Sequence, residues 1–441
     1  MQITVVGLGY VGLVTATCLA RMGQQVLGLE SDEQKLRALE AGQAPYYEPH
    51  LQGELALQQL EERLTFTSDP GAALREPDII LICVGTPSRP SGDADLGAVE
   101  SVVASIADHL QHRAVVALRS TVPVGTTRRV ETALNERLSS RGGPAQIPLF
   151  ANPEFLRTGR ALDDFMHPSR VILGRTDGTS DEDTEKLATL YRPLESPIFV
   201  FDAESAELVK NAANAYLATR ISFINEIASL CEATGASVDA VVQGVSADPR
   251  IGGDYIRPGI GYGGSCLPKD VRSLMAMGSE RGLDMTFTRA VDSVNAEQPA
   301  RAVARLDTAL GGIDGKRIAL LGLAFKAGTD DIRDSPALAL ADALRAAGAE
   351  VVACDPQAGP ASAAVAPWIE IRDAPTDVAA EADALVLSTE WAEYVTADLE
   401  PLRAAMRGDL LFDARNAMDA AGVTAAGLRY LAVGRRLAVP A

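Results

Sequence analysis

A short apolar run, Ile3–Val6, passes directly into Gly7-Leu8-Gly9-Tyr10-Val11-Gly12, and a helical pattern then continues to Met22. Few stretches restrict a fold so tightly. G-x-G-x-x-G between a strand and a helix is a dinucleotide-binding turn. Gly7 permits the tight turn, Gly9 lets a pyrophosphate reach the backbone, and Gly12 lets the helix pack on the strand. Tyr10 and Val11 then open the helix, whose first N–H groups suit a phosphate. The next apolar run, "QQVLGLE", ends at Glu30. A carboxylate there can accept ribose hydroxyls and would repel a 2′-phosphate, which favours NAD over NADP; the alternative is a solvated strand-end acid. Lys35 follows closely and can face the adenosine end or only solvent.

The same rhythm persists for about two hundred residues. Ile79–Val84, Ala114–Leu118 and Pro148–Phe150 read as further strands, each followed by a polar or glycine-bearing turn. Strands alternating with helical patterns predict a parallel sheet. The strand ends continue into Gly85-Thr86-Pro87, Arg119-Ser120-Thr121-Val122-Pro123 and Ala151-Asn152-Pro153-Glu154. Ligands of open parallel sheets bind beyond such carboxyl ends. One Ser/Thr-Pro turn would be ordinary. Three strand ends in series, each with hydroxyl or carboxylate groups fixed by a nearby proline, predict a pocket wall.

From Ser205 to Thr234 no proline or glycine intervenes, so this stretch predicts one long helix closed by Gly235. Alternation resumes near Lys316 with "KRIALLGLAF", "AEVVACDP", "ADALVLSTEW" and "DLLFDARN". The fold class expected is therefore α/β: two Rossmann-like parallel-sheet domains joined by a long central helix and a helical region. At 441 residues the chain exceeds one ordinary core.

A net charge of −19 argues against nucleic acid or an anionic membrane as partner. "MQITVVGLGY" enters a strand directly, so no leader is expected, and no apolar run is long enough to span a bilayer. Five scattered cysteines without a CxxC fit reduced thiols in a cytoplasmic protein. Four histidines without ligand spacing give no metal site.

Two constellations carry chemistry. Lys210 and Asn214, four residues apart, share one face of the long helix. They can hold a developing oxyanion, or form a capping or interdomain pair. "GIGYGGSCLPKD", Gly259 to Asp270, surrounds Cys266 with glycines and follows it with Lys269 and Asp270. A nearby ammonium favours a thiolate nucleophile. A buried packing thiol is the competing reading.

The motifs "GLGYVGLV", "YYEP", "STVPVGT", "NPEFLR", "AELVKNAANAYLATRISFINEIA", "GYGGSCLPKD" and "LGLAFKAGTDDIRDSP" follow one another over nearly the whole chain. In them the sequence resembles the UDP-glucose/GDP-mannose 6-dehydrogenase family. The resemblance implies an NAD-binding domain over 1–200, a helical dimerisation domain over 201–300 and a nucleotide-sugar domain over 301–441. It also implies NAD-dependent oxidation of a sugar C6 alcohol to the carboxylate, with UDP-glucose as substrate and a cytoplasmic homodimer as the working form. GDP-mannose, a UDP-N-acetylhexosamine, or an inactive nucleotide-sugar binder are the competing readings.

Residue roles follow from the same resemblance. Cys266 becomes the nucleophile, Glu154 and Asp270 act on protons or water, and Lys210 and Asn214 stabilise the oxyanion. Gly7, Gly9, Tyr10, Val11, Gly12, Glu30, Lys35, Thr86, Thr121, Lys269 and Arg333 fall to NAD. Glu154, Phe155, Leu156, Lys210, Asn214, Tyr255, Ile256, Arg257, Pro258, Gly259, Gly263, Lys326 and Arg415 fall to the nucleotide sugar. Arg250, in "PRIG", matches an arginine that reaches the neighbouring subunit's substrate. Three departures stand out: Thr158 replaces a usual glutamate, Glu30 a commoner aspartate, and Arg119 a usual lysine.

Overall fold

Strand Gln2–Val6 (β1) is covered on both faces: Ile3, Thr4, Val5 and Val6 are all buried, as a central parallel strand requires. In the computed structural model, which describes residues 1–440, it lies inside an eight-stranded sheet. The other strands are Gln25–Leu29 (β2), Leu64–Thr67 (β3), Ile79–Ile82 (β4), Val115–Leu118 (β5), Leu149–Ala151 (β6), Val171–Arg175 (β7) and Ile198–Asp202 (β8). Their order is β3-β2-β1-β4-β5-β6-β7-β8, parallel except where β6 meets β7 through Ala151 and Gly174. Alternate residues feed two cores. Ile3 and Val5 pack with Leu13 and Leu19 on one side, while Val6, Ile80 and Ile82 pack with Val99 and Ile106 on the other.

A second sheet holds Arg317–Leu321 (β9), Glu350–Cys354 (β10), Glu370–Ile371 (β11), Ala384–Leu387 (β12), Leu410–Asp413 (β13) and Arg429–Ala432 (β14). Its order is β11-β10-β9-β12-β13-β14, parallel throughout. Counted from its own first strand, this repeats the order of the first six strands of the other sheet. Both sheets are therefore of the Rossmann type, with strand order reversing at β1/β4 and at β9/β12. Ligand crevices form outside such reversals.

The long helix runs Ala203–Thr234 and ends at Gly235, whose φ of +77° only glycine adopts freely. Its first turn sits tightly on β7. A Cβ on Gly174 would lie 2.5 Å from that of Ala206. The chain forms two compact units, Met1–Ala213 with Ala276–Leu283, and Asn214–Met275 with Asp284 onward. The helix starts in the first and continues into the second.

The expected strands all form, with shifted ends. The fifth begins at Val115 and the sixth at Leu149 rather than at Pro148, which has no N–H for a ladder. The fourth stops at Ile82, leaving Cys83 and Val84 to lead into the turn.

Candidate active site

In the first unit the glycine turn is built as its sequence requires. Gly7 has φ +85°, and a Cβ on Gly12 would stand 1.9 Å from the Gly7 carbonyl oxygen. A Cβ on Gly9 or on Gly85 would meet nothing within 4 Å. Both backbones, at the reversal between β1 and β4, thus face room for a ligand. Glu30, buried at the end of β2, is no solvated acid: its carboxylate accepts from the Leu8 amide at 3.1 Å and the Asp32 amide at 3.0 Å. Two amides leave a carboxylate with lone pairs to spare for ribose hydroxyls. Lys35 lies over the Tyr46 ring, 5.9 Å from its centre.

The neighbouring strand ends are knitted together. Thr86 Oγ1 donates to the Thr121 carbonyl at 2.7 Å, and Ser120 Oγ donates to the Val84 carbonyl at 2.6 Å. Beneath them Arg119 is buried, donating at 2.9 Å both to Asn152 Oδ1 and to the Tyr191 hydroxyl.

Beyond β6, Glu154 is buried and accepts from the Leu156 amide. Its Oε1 lies 3.3 Å from Nζ of Lys210 on the long helix, and the Phe155 ring faces the same ammonium at 5.3 Å. Three predicted substrate residues thus meet within one unit. One turn earlier on that helix, buried Glu207 accepts from the Gly125 amide (2.6 Å), the Thr127 amide (2.7 Å) and the Thr127 hydroxyl (2.6 Å). It fastens the "STVPVGT" turn to the helix that carries Lys210. Burial pushes the Glu207 carboxyl up, against the hydrogen bonds that favour its charge. Sequence reasoning missed this residue.

In the second unit Asn214, one helical turn beyond Lys210, donates from Nδ2 to Asp270 Oδ2 at 2.5 Å. Lys269 Nζ lies 2.7 Å from the other Asp270 oxygen, and Asp270 is 1% exposed. Cys266 is half-buried immediately before the helix Leu267–Glu280, with Ser265 Oγ 3.6 Å from its sulfur. Its carbonyl accepts the Asp270 amide at 2.9 Å. The cysteine and the Asn214–Asp270–Lys269 cluster therefore share one helix start.

What approaches the glycines around Cys266 is the chain itself. A Cβ on Gly263 would lie 2.1 Å from the Asp334 carbonyl oxygen, and one on Gly264 would lie 2.7 Å from the Phe325 ring. A Cβ on Gly259 would likewise lie 3.0 Å from the Ala414 carbonyl oxygen. Along the same loop Ile256 and Pro258 are buried, Arg257 is exposed, and Tyr255 has φ +57°. Near the ends of β12 and β13, Arg415 makes a bidentate pair with Glu390, Nε to Oε2 at 2.6 Å and Nη2 to Oε1 at 3.1 Å. Burial pushes the Glu390 carboxyl up, but the Arg415 guanidinium outweighs that and holds it below its ordinary range. Lys326 Nζ lies 5.5 Å from the centre of the Phe325 ring. The Arg250 and Arg333 guanidiniums are largely exposed and point to local acids, Asp248 and Asp331 respectively, although the Arg333 carbonyl accepts the Gly264 amide of the Cys266 loop at 2.9 Å.

Residues 1–195 match the NAD binding domain of the UDP-glucose/GDP-mannose dehydrogenase family, 204–297 its central domain and 319–420 its UDP binding domain. The chain belongs to this family. The UDP-glucose 6-dehydrogenase of Rhizobium meliloti is 41% identical over 440 residues, covering 99% of this chain and all of the relative. That of Pseudomonas aeruginosa is 40% identical over 442 residues, covering 99% and 98%. A solved UDP-glucose dehydrogenase from Pyrobaculum islandicum superposes with a TM-score of 0.90 at 33% identity, covering 99% and 98%. This family member is an NAD-dependent oxidoreductase, and its glycine turn has the open space and the buried acid that a dinucleotide needs. Among the described residues no group of His, Cys, Asp and Glu could hold a metal ion, and no helix is long and apolar enough to cross a membrane.

Proposed function

We propose that this chain oxidises the C6 alcohol of UDP-glucose to the carboxylate of UDP-glucuronate through a covalent intermediate on Cys266. The observation that carries the reading is the helix start at Leu267. There a half-buried thiol precedes Lys269 and Asp270, and Asp270 holds Asn214. A helix amino terminus stabilises a thiolate. The two relatives named above and the Pyrobaculum protein all carry UDP-glucose in their names, which favours that sugar.

Alcohol to acid is a four-electron change, and NAD, when bound, accepts one hydride per molecule. Gly9, Gly85 and Glu30 would hold it. After the first oxidation the free aldehyde could escape, and the Cys266 thiolate prevents this by adding to its carbonyl as a thiohemiacetal. Lys210 and Asn214 stabilise the oxygen that carries the developing charge. Loss of the second hydride turns the thiohemiacetal into a thioester. Water cleaves it, releasing the acid and regenerating the thiol, with Glu154 or Asp270 taking the proton.

A cytoplasmic homodimer is the working form we propose, assembled through the segment 201–300. In support, Tyr216, Phe223 and Leu230 recur at seven-residue intervals on the long helix and are 63%, 52% and 58% exposed. Arg250, exposed beyond this helix, would reach the partner's substrate.

The test is purified protein with NAD and a panel of nucleotide sugars, following NADH. UDP-glucose should react fastest and yield two NADH per sugar. Faster turnover of GDP-mannose would overturn the sugar assignment, and one NADH per sugar would overturn the covalent route.

A further inference from the structure

The "YYEP" motif, residues 46–49, has no role in the chemistry above, yet its glutamate is among the most heavily bonded side chains of the first unit. Glu48 is 5% exposed. One of its carboxylate oxygens accepts from the Gly159 amide at 2.6 Å and the other from the Ala161 amide at 2.7 Å. The Tyr10 hydroxyl donates to the same carboxylate. Tyr10 follows Gly9 in the glycine turn, whereas Gly159 and Ala161 belong to the segment that leaves β6 through Glu154, Phe155 and Leu156. One buried charge thus ties together two stretches more than a hundred residues apart.

The loop that presents Glu48 is itself pinned. The Gln52 side chain accepts from the Ala44 amide at 2.9 Å and donates to the Gly42 carbonyl. Two residues before Glu48, Tyr46 underlies the Lys35 ammonium. Burial, and then the bond to Glu48, push the Tyr10 phenol well above its ordinary range, so it stays a donor at every physiological pH. Thr158, which stands where a glutamate is usual, approaches the same hydroxyl with a neutral side chain. The carboxylate on Tyr10 therefore comes from Glu48.

We propose that Glu48 is a positioning residue that fixes the glycine turn and the Glu154–Leu156 segment relative to each other, so that cofactor and sugar are set by one buried carboxylate. It touches neither ligand and acts through Tyr10 and through the Gly159 and Ala161 amides. The inference rests on the site reading above. Its consequence is that loosening this link weakens both ligands while leaving the reacting groups in place.

Glu48→Gln keeps the shape and removes the charge, and Tyr10→Phe removes a single hydroxyl. Each variant, as full chain, is titrated with NADH by fluorescence and assayed with NAD and UDP-glucose. The NADH Kd and the KM for UDP-glucose should each rise about fivefold or more, with a much smaller change in kcat. The double variant should be no worse than Glu48→Gln alone, because both changes cut the same link. If Glu48→Gln does not fold, Tyr10→Phe carries the test unaided. A lowered unfolding midpoint with unchanged Kd and KM would mean that Glu48 is only structural, and would overturn the proposal. A wild type that binds no NADH overturns the site reading and this inference together. A wild type that binds NADH, beside variants that bind it equally well, overturns the inference alone.

Discussion

Lys210 Nζ stands 3.3 Å from Glu154 Oε1, and the two side chains are 3% and 4% exposed. Removing one member of such a pair takes its compensation away from the other charge in the core, a loss of about 3–5 kcal/mol. Lys210→Met and Glu154→Gln should each lower the urea midpoint, and the double variant should recover part of the loss. Turnover will not recover with it. Loss of an oxyanion-stabilising donor lowers kcat about 10²–10³-fold. A Lys210→Met enzyme with wild-type turnover would remove Lys210 from the mechanism.

In the site proposed above, Glu30 selects NAD over NADP. Its carboxylate is fixed by the Leu8 and Asp32 amides, so it cannot swing away from a 2′-phosphate without giving up both bonds. NAD should exceed NADP in kcat/KM by about two orders of magnitude, an electrostatic and hydrogen-bonding difference of roughly 3 kcal/mol. Glu30→Gln should narrow the gap. Equal kcat/KM for the two cofactors in the wild type would sink the assignment.

How far such residues can be read from sequence depends on whether their partners are local. The glycine turn and the helix to Thr234 were legible because each is specified by its own neighbours; the helix simply begins two residues earlier, at Ala203. Strand β8 was not. Phe199, Val200 and Phe201 on this sheet edge are all substantially exposed, so no burial alternation marks it. Glu48, Glu207 and Glu390 escaped for a different reason: their bonds join distant segments, and one carboxylate looks like another in a sequence. Signals existed without roles: Glu48 stands in the quoted "YYEP" motif, and Glu207 is an acid three residues before Lys210 on the long helix.

Acid should weaken the first unit in a defined window. Asp183 is buried beneath Arg113, with Nη1 to Oδ1 at 2.6 Å and Nη2 to Oδ2 at 2.7 Å. Burial works against its charge, but the bonds from Arg113 and Ser180 win and hold the carboxyl at about 2. A depressed carboxyl contributes stability above its unfolded value, near 3.8, and loses it as pH falls towards about 2. Arg113 is half-exposed, so screening reduces the contribution to about 1–2 kcal/mol. Asp183→Asn should therefore lower the urea midpoint at pH 7, with the deficit shrinking between about pH 4 and pH 2. A deficit that does not change with pH would mean that packing, not charge, is what the substitution removes.

The chemistry proposed above turns on Cys266. A free thiol is more often a packing group than a nucleophile, and the other four cysteines here, Cys18, Cys83, Cys231 and Cys354, are all buried. Burial pushes the Cys18, Cys83 and Cys354 thiols up to about 12, which leaves them inert at neutral pH. Cys266 alone is half-buried, at a helix start beside Lys269 and Asp270. Serine in its place keeps the shape but attacks an aldehyde poorly at neutral pH. Cys266→Ser should bind NADH and UDP-glucose with near wild-type affinity, yet its turnover to the acid should fall by about three orders of magnitude or more. Quenched wild-type enzyme should carry sugar mass on the peptide containing Cys266, and the serine variant should not trap a thioester. Glucuronate formation by Cys266→Ser at close to the wild-type rate would reduce the thiol to a packing group.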